Sequence, residues 1–206
     1  MKKFVLLLLS LVMVLSLVAC GKSKDSDVKD DQNQTNSGNE NAGNENAGDE
    51  AAADVATLEL LTTVWGKIAD DQKPPVIGGD YENMVDGAAG AVLTKDGETL
   101  NGLFAFPADK ADFIKEAASM RHMMNANTFT AVAYQFEADD VDTMVSAIED
   151  SITNNQWICG FPEKLIIAKV GNDVVVAYGA GDIVNPFKDK VTEAYANATV
   201  VVDKSL

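Results

Sequence analysis

Lys164-Leu165-Ile166-Ile167-Ala168-Lys169-Val170-Gly171-Asn172-Asp173-Val174-Val175-Val176-Ala177-Tyr178 is the stretch from which the fold can be worked out. Its two β-rich runs, 164–170 and 173–178, meet at Gly171-Asn172, a two-residue link that suits a tight hairpin turn. Working downstream, Asn185 followed by Pro186 predicts a helix with Asn185 as cap and Pro186 at its first position. Val184, Phe187, Val191 and Tyr195 then share one face of that C-terminal helix. Thr199 to Val202 reads as a last strand on a sheet edge.

Working upstream, Val141, Met144, Val145, Ile148 and Ile152 form one apolar helical stripe behind a strand through Tyr134 and Phe136. This unit has an echo 30 residues earlier: Phe104, Phe106, Ala108, Asp109, Asp112 and Ala117 recur as Tyr134, Phe136, Ala138, Asp139, Asp142 and Ala147. Each copy predicts a strand running into a helix, with an Asp at the cap and another three residues on, where the helix dipole favours negative charge. Duplication explains the echo economically; convergent capping chemistry gives the same spacing without it. Further forward, Val55, Leu58, Leu61, Trp65 and Ile68 recur at helical spacing until Pro74-Pro75, which predicts an amphipathic helix over 55–70. Residues 76–106 are punctuated by Gly78-Gly79, Gly87 and Gly90 and read as a loop, a short helix around 81–85 and a hairpin turning at Asp96-Gly97.

The expectation is an α+β domain over residues 54–206. It should hold an antiparallel or mixed sheet of roughly four to six strands packed by about three or four helices.

Residues 1–53 have a different character. Met1-Lys2-Lys3 is basic, and residues 4–19 are apolar apart from Ser10 and Ser16. That pattern is a signal peptide, shorter than the roughly 20 residues of a spanning helix. Leu17-Val18-Ala19-Cys20-Gly21 resembles the lipobox of bacterial lipoproteins. The resemblance implies cleavage between Ala19 and Cys20, a diacylglyceryl group on the Cys20 sulfur, and residence on the outer face of the cell membrane. Two acyl chains suffice for stable anchoring where one does not. Residues 20–53 are polar, with Val28 as the only large apolar side chain and a tandem Gly-Asn-Glu-Asn-Ala at 38–42 and 43–47. Such a segment buries no core. As a flexible coil it spans about 30 Å and serves as a spacer.

The phrase Ala131-Val132-Ala133-Tyr134 and the hairpin sequence 164–176, behind a lipobox and a polar linker, are similar to small uncharacterised lipoproteins of Gram-positive bacteria, domains of unknown function. The resemblance implies a fold and carries no catalytic residue with it.

Charge narrows the partners. Residues 54–206 carry a formal net charge of −13 within a whole-chain total of −16. A surface that acidic opposes nucleic acid and anionic lipid headgroups. The only thiol besides Cys20 is Cys159, whose setting Trp157-Ile158-Cys159-Gly160-Phe161-Pro162 predicts a buried small hydrophobe; His122, the only histidine, would have to reach it for thiol chemistry. Met120-Arg121-His122-Met123-Met124 holds soft-metal ligand types. On a helix, however, residues 120 and 124 share a face while 122 points away, so core Met and a surface His are expected. Glu137, Asp139, Asp140 and Asp142 lack the loop spacing of a calcium hand and read as helix capping. Gly179-Ala180-Gly181-Asp182 lacks the third glycine and the Lys-Ser/Thr pair of a phosphate loop and reads as a turn.

No catalytic set, cofactor or metal site is therefore expected. The expected role is a membrane-anchored, non-enzymatic binding or interaction module for an unknown protein or small molecule. The alternatives are a small envelope hydrolase using Asp80, Glu82 and Asp86, and a solute receptor of a transporter, for which the folded part is about half the length of a two-lobed clamp.

Overall fold

The computed structural model describes residues 56–137 and 141–206. Ala19, Cys20, the polar segment, Val55, Ala138, Asp139 and Asp140 lie outside the described residues, so the expectations placed on them concern sequence alone.

The domain is α+β. Four α-helices pack on one antiparallel sheet: α1 (Thr57–Gly66), α2 (Gly97–Phe104), α3 (Val141–Thr153) and α4 (Gly181–Ala194). The strands are β1 (Val76–Gly78), β2 (Val85–Asp86), β3 (Gly90–Ala91), β4 (Ile114–His122), β5 (Phe129–Phe136), β6 (Lys164–Val170), β7 (Asp173–Gly179) and β8 (Ala198–Ser205). Their order across the sheet is β2-β1-β4-β5-β7-β6-β8, with β3 paired to β4. Eight strands exceed the expected count because β1, β2 and β3, of two or three residues each, add to the five long ones.

The hairpin forms as read, with Gly171 at φ +60° supplying the positive φ its turn requires. Both faces of the central strands are covered, and the period-2 alternation sorts their side chains between two cores. Val132, Tyr134, Leu165, Ile167, Val174 and Val176 pack with the stripe of α3 and with Leu100, Leu103 and Phe104 of α2. Ala131, Ala133, Ile166, Ala168, Val175 and Ala177 point the other way, onto Leu60, Leu61 and Val64 of α1 and Val184, Phe187 and Val191 of α4. Burial on both faces is why these strands read as continuous apolar runs.

The two cores also explain the helix placement. β5 and β6 are parallel with β7 between them, and β7 and β8 are parallel with β6 between them. The crossovers α3 and α4 thus start from oppositely directed strands. One handedness for both crossovers requires them to lie on opposite faces, as they do.

Several expectations are corrected. Asp96-Gly97 turns no hairpin: the Asp96 carboxylate accepts the Thr99 N–H at 2.8 Å and caps α2, whose Leu100, Leu103 and Phe104 are buried. Phe104 therefore ends a helix instead of lying in a strand, and Ala105 leaves it in the left-handed region at φ +52°. Residues 108–113 form only a 3-10 turn before β4, so the first copy of the echo is not a βα unit, while the second, β5 and α3, is. No helix forms around 81–85; that segment wraps around Asp80 instead. Met120, Arg121 and His122 lie on β4 with Met120 buried under α1, so no helical face relates 120 to 124. α4 begins at Gly181, five residues before Pro186, because the Glu163 carboxylate accepts the Gly181 N–H at 3.0 Å and supplies a cap from outside the segment.

Candidate functional site

The antiparallel register gathers one set of loops at one end of the sheet: residues 123–128 after β4, 154–163 before β6, 180–181 after β7 and 67–75 before β1. Most of the exposed large apolar side chains outside the Asp80 segment collect here. Ile158, Phe161 and Met124 are 81%, 79% and 83% exposed, with Met123 and Leu206 partly so. A run of apolar side chains left in water on a well-packed domain marks an interaction surface more readily than scattered single residues do.

The turn that carries Ile158 and Phe161 is held in place. The Asn127 Nδ2 donates to the carbonyl oxygens of Ile158 and Gly160, each at 2.8 Å, and the Asn125 Nδ2 donates to that of Cys159 at 3.0 Å. Asn125 is itself fixed, since its Oδ1 accepts the Asn127 N–H at 3.0 Å, and His122 Nδ1 accepts the N–H groups of Met124 and Asn125 at 3.2 and 3.3 Å. Three consecutive carbonyls are thereby turned toward the domain and the side chains between them outward. At the root, the Trp157 ring lies 5.2 Å from Tyr178, tilted by 50° against the core. At the other flank Glu163 ties down three segments: its N–H donates to Gly179 O, its carboxylate caps α4, and its carbonyl accepts the Leu206 N–H.

Phe161 stands between two grooves. One, of about 180 Å³, runs past Asn127 and Glu163; the other, of about 390 Å³, lies between Trp157, Pro162 and Leu206 with Lys204 at its edge. A side-chain ridge with a hollow on each side gives a partner both a knob and two sockets.

Cys159 is exposed at φ +67°, contrary to the buried hydrophobe that its apolar neighbours suggested. The left-handed backbone at Cys159 and Gly160 turns the chain so that its side chain leaves the core. The contact between His122 and this turn runs through Asn125, not through a Cys–His pair.

The acidic front segment has a different job. Asp80 is 2% exposed and both its oxygens accept main-chain N–H groups: Glu82 at 3.1 Å and Asn83 at 3.0 Å on Oδ1, Leu93 at 2.6 Å and Thr94 at 2.8 Å on Oδ2. Burial pushes this carboxyl up, and the four donors outweigh that and hold it below the ordinary carboxylate value. Next to it Gly79 sits at φ +77° with its carbonyl accepting from Ser119 Oγ and Arg121 Nη1. Glu82 is exposed in the bend after Asp80, and Asp86 is exposed at the end of β2, paired with Ile77. Asp80 thus organises the fold of 79–94, with both of its oxygens taken up by main-chain donors.

Of the other singled-out groups, Asp142 and residues 179–182 lie within the described residues and Asp139 and Asp140 do not. Asp142 pairs with Lys169 at 2.8 Å on the surface, and Gly179-Ala180-Gly181-Asp182 is not a turn: Gly179 ends β7, Ala180 is the N-cap residue, and Gly181 and Asp182 open α4. Among the described residues no three His, Cys, Asp or Glu side chains converge as metal ligands, and no helix is long and apolar enough to cross a membrane. Asn125, Asn127, Ile158 and Phe161 are not singled out by the sequence reading. The one available signal was a cluster of apolar residues around Gly160 and Pro162 that follows neither helical nor strand period.

Comparison with protein-family models, curated proteins and solved structures finds no match.

Proposed function

We propose that this chain is a lipid-tethered, non-enzymatic interaction module on the outer face of the cell membrane, and that the turn at 157–162 is its protein-docking surface. The observation that carries the reading is the exposure of Ile158 and Phe161 on a turn fixed by Asn125 and Asn127. Pre-ordering the turn lowers the entropy lost on binding, and burying each of the two side chains in a partner contributes about 2 kcal/mol.

The direction of the domain favours a protein over the bilayer as the occupant. Thr57 N–H and Oγ1 both donate to Glu116 Oε1, at 2.9 and 2.8 Å, so α1 begins beside the start of β4. Its far end brings Trp65 against Phe129, at the start of β5. The tether from Cys20 therefore joins the domain at the end opposite the apolar turn. The acidic surface also opposes contact with anionic lipid.

The test is photo-cross-linking on intact cells with a photoreactive phenylalanine analogue at position 161 of the full chain. The expected result is one discrete protein adduct that disappears in the Ile158→Ser variant. Adducts only to lipid, or only to a second copy of the chain, would overturn the docking assignment. The anchor has its own test: Cys20→Ser should leave the protein unprocessed or released, and recovery of the variant fully processed in the membrane fraction would contradict lipidation.

A further inference from the structure

Of the two edges of the sheet, one is long enough to template a further strand. β2 has two residues, whereas β8 runs for eight, from Ala198 to Ser205, and closes the strand order. The hairpin fixes which of its main-chain groups point outward. Val170 and Asp173 flank the two-residue turn and bond to each other, so by alternation Lys169, Ile167 and Leu165 turn their N–H and C=O groups toward β8. Their partners Thr199, Val202 and Lys204 are used in that ladder, as is Leu206, whose N–H donates to Glu163 O at 3.0 Å. Asp203 and Ser205 therefore direct their N–H and C=O groups away from the sheet. Edge strands are commonly guarded by unneutralised charge. Here Asp203 is held by Lys164 and Lys188, and Lys204 by Glu149, which leaves the edge unguarded.

A hollow lies at each end of this edge. At the C-terminal end is the groove of about 390 Å³ between Trp157, Pro162 and Leu206, which Lys204 and Ser205 also line. At the N-terminal end a shallower one of about 330 Å³ is lined by Lys169, Gly171, Asn197, Thr199 and Val201. Lys204 reaches Glu149 of α3 and Lys169 reaches Asp142 of α3, so both hollows open on the α3 side of the sheet. Thr199 and Lys204 oppose Lys169 and Leu165, four residues apart on β6, an even step that puts both on one face. From this arrangement we infer that the partner of the docking turn binds through an extended segment that adds to β8 as a further strand and drops two side chains, about four positions apart, into the two hollows. The inference rests on the docking reading above and specifies the form of the partner. The walls of Trp157, Pro162 and Leu206 select an apolar side chain at one end. The net charge of −13 over residues 54–206 favours a segment of net positive charge over a second copy of this chain.

Photo-cross-linking on intact cells, with the photoreactive phenylalanine analogue at position 161 or at position 199 of the full chain, tests it. The expected result is one partner protein captured from both positions, with the two attachment points about six to ten residues apart in a single basic segment. Ser205→Pro removes an outward N–H while sparing the bonds of Lys204 and Leu206 to their neighbours, and proline is tolerated at such an edge position. Capture from 199 should fall about fivefold in Ser205→Pro, the effect of one hydrogen bond, and stay unchanged in Ser205→Ala. The attachment map of the chain with Ser205 intact decides the matter even where Ser205→Pro unfolds. Capture from 161 without capture from 199, attachment points on distant segments, or equal capture in the two Ser205 variants would overturn strand addition and leave the docking turn standing. Capture of only a second copy from 199 would overturn it as well. No adduct from 161 would fail the docking turn, and this inference with it.

Discussion

The side-chain amide of Asn127 donates at 2.8 Å to the carbonyl of Ile158, so a side chain just before β5 sets the backbone of a turn 31 residues away. With its second bond to Gly160 and the bond from Asn125 to Cys159, it turns the carbonyls inward and leaves Ile158 and Phe161 outside.

Asn127→Ala removes two of these three bonds. Each contributes about 1 kcal/mol net, less at an exposed site, so global stability should fall by only about 1 kcal/mol. The local effect should be larger. Chymotrypsin cleavage after Trp157 in the native protein should quicken several-fold, and the cross-link at position 161 should weaken. An unchanged cleavage rate would show that Trp157 and Glu163 alone hold the turn.

Asp80 links stability to acid. Its carboxyl is held below the ordinary value, so its contribution is fully present above the unfolded-state value near 3.9 and is lost as pH falls through the lower folded one. Asp80→Asn keeps the shape but turns an amide N–H₂ toward main-chain donors, costing about 2–4 kcal/mol at neutral pH. The wild type should therefore lose melting temperature between about pH 5 and pH 3 while the variant, already lacking the charge, loses less. Parallel acid profiles for the two proteins would contradict this role.

What was legible in sequence depended on how far the deciding contact lies along the chain. The hairpin at 164–178 and the stripe of α3 carry their own periods, and both formed as read. Residues 76–106 did not, because a single carboxylate, Asp80, collects N–H groups from 82, 83, 93 and 94, and no local propensity reports such a capture. Asp96-Gly97 misled for a different reason: the same dipeptide turns a hairpin or caps a helix, and the burial of Leu100, Leu103 and Phe104 chose the cap. Pro186 was placed at the start of α4 because the true cap, Glu163, is 18 residues upstream. At the docking turn, apolar composition without a period could not say which side chains face out.

Alkali should act through the buried tyrosines. Burial pushes Tyr178 up to about 12, against smaller downward pulls from its hydrogen bond with Thr130 and from the Arg121 charge, and raises Tyr134 well above its ordinary value. A raised folded value means that the contribution is complete below the unfolded-state value of about 10 and is lost as pH rises toward and through the folded one. Stability should therefore fall steadily between about pH 10 and 12, and both phenols should ionise, read by absorbance, only as the domain unfolds. Tyr178→Phe should flatten the alkaline fall; an unaltered slope would assign it to other groups.

Cys159 separates strain from contact, because its side chain is exposed while its backbone is left-handed. A residue with a Cβ at φ +67° bears a cost of about 1 kcal/mol that glycine escapes, and little packing is lost when the exposed thiol is removed. Cys159→Gly should therefore leave the melting temperature unchanged or raise it by a few degrees. Cys159→Val, of similar size but branched at Cβ, should lower it, because branched residues tolerate this region worst. The native thiol should also react to completion with a maleimide without denaturant, and a bulky adduct between Ile158 and Phe161 should block the cross-link at position 161 while leaving α4 and the sheet intact. A thiol that labels only after unfolding, or Gly and Val variants of equal stability, would mean that the turn does not hold the outward conformation on which docking depends.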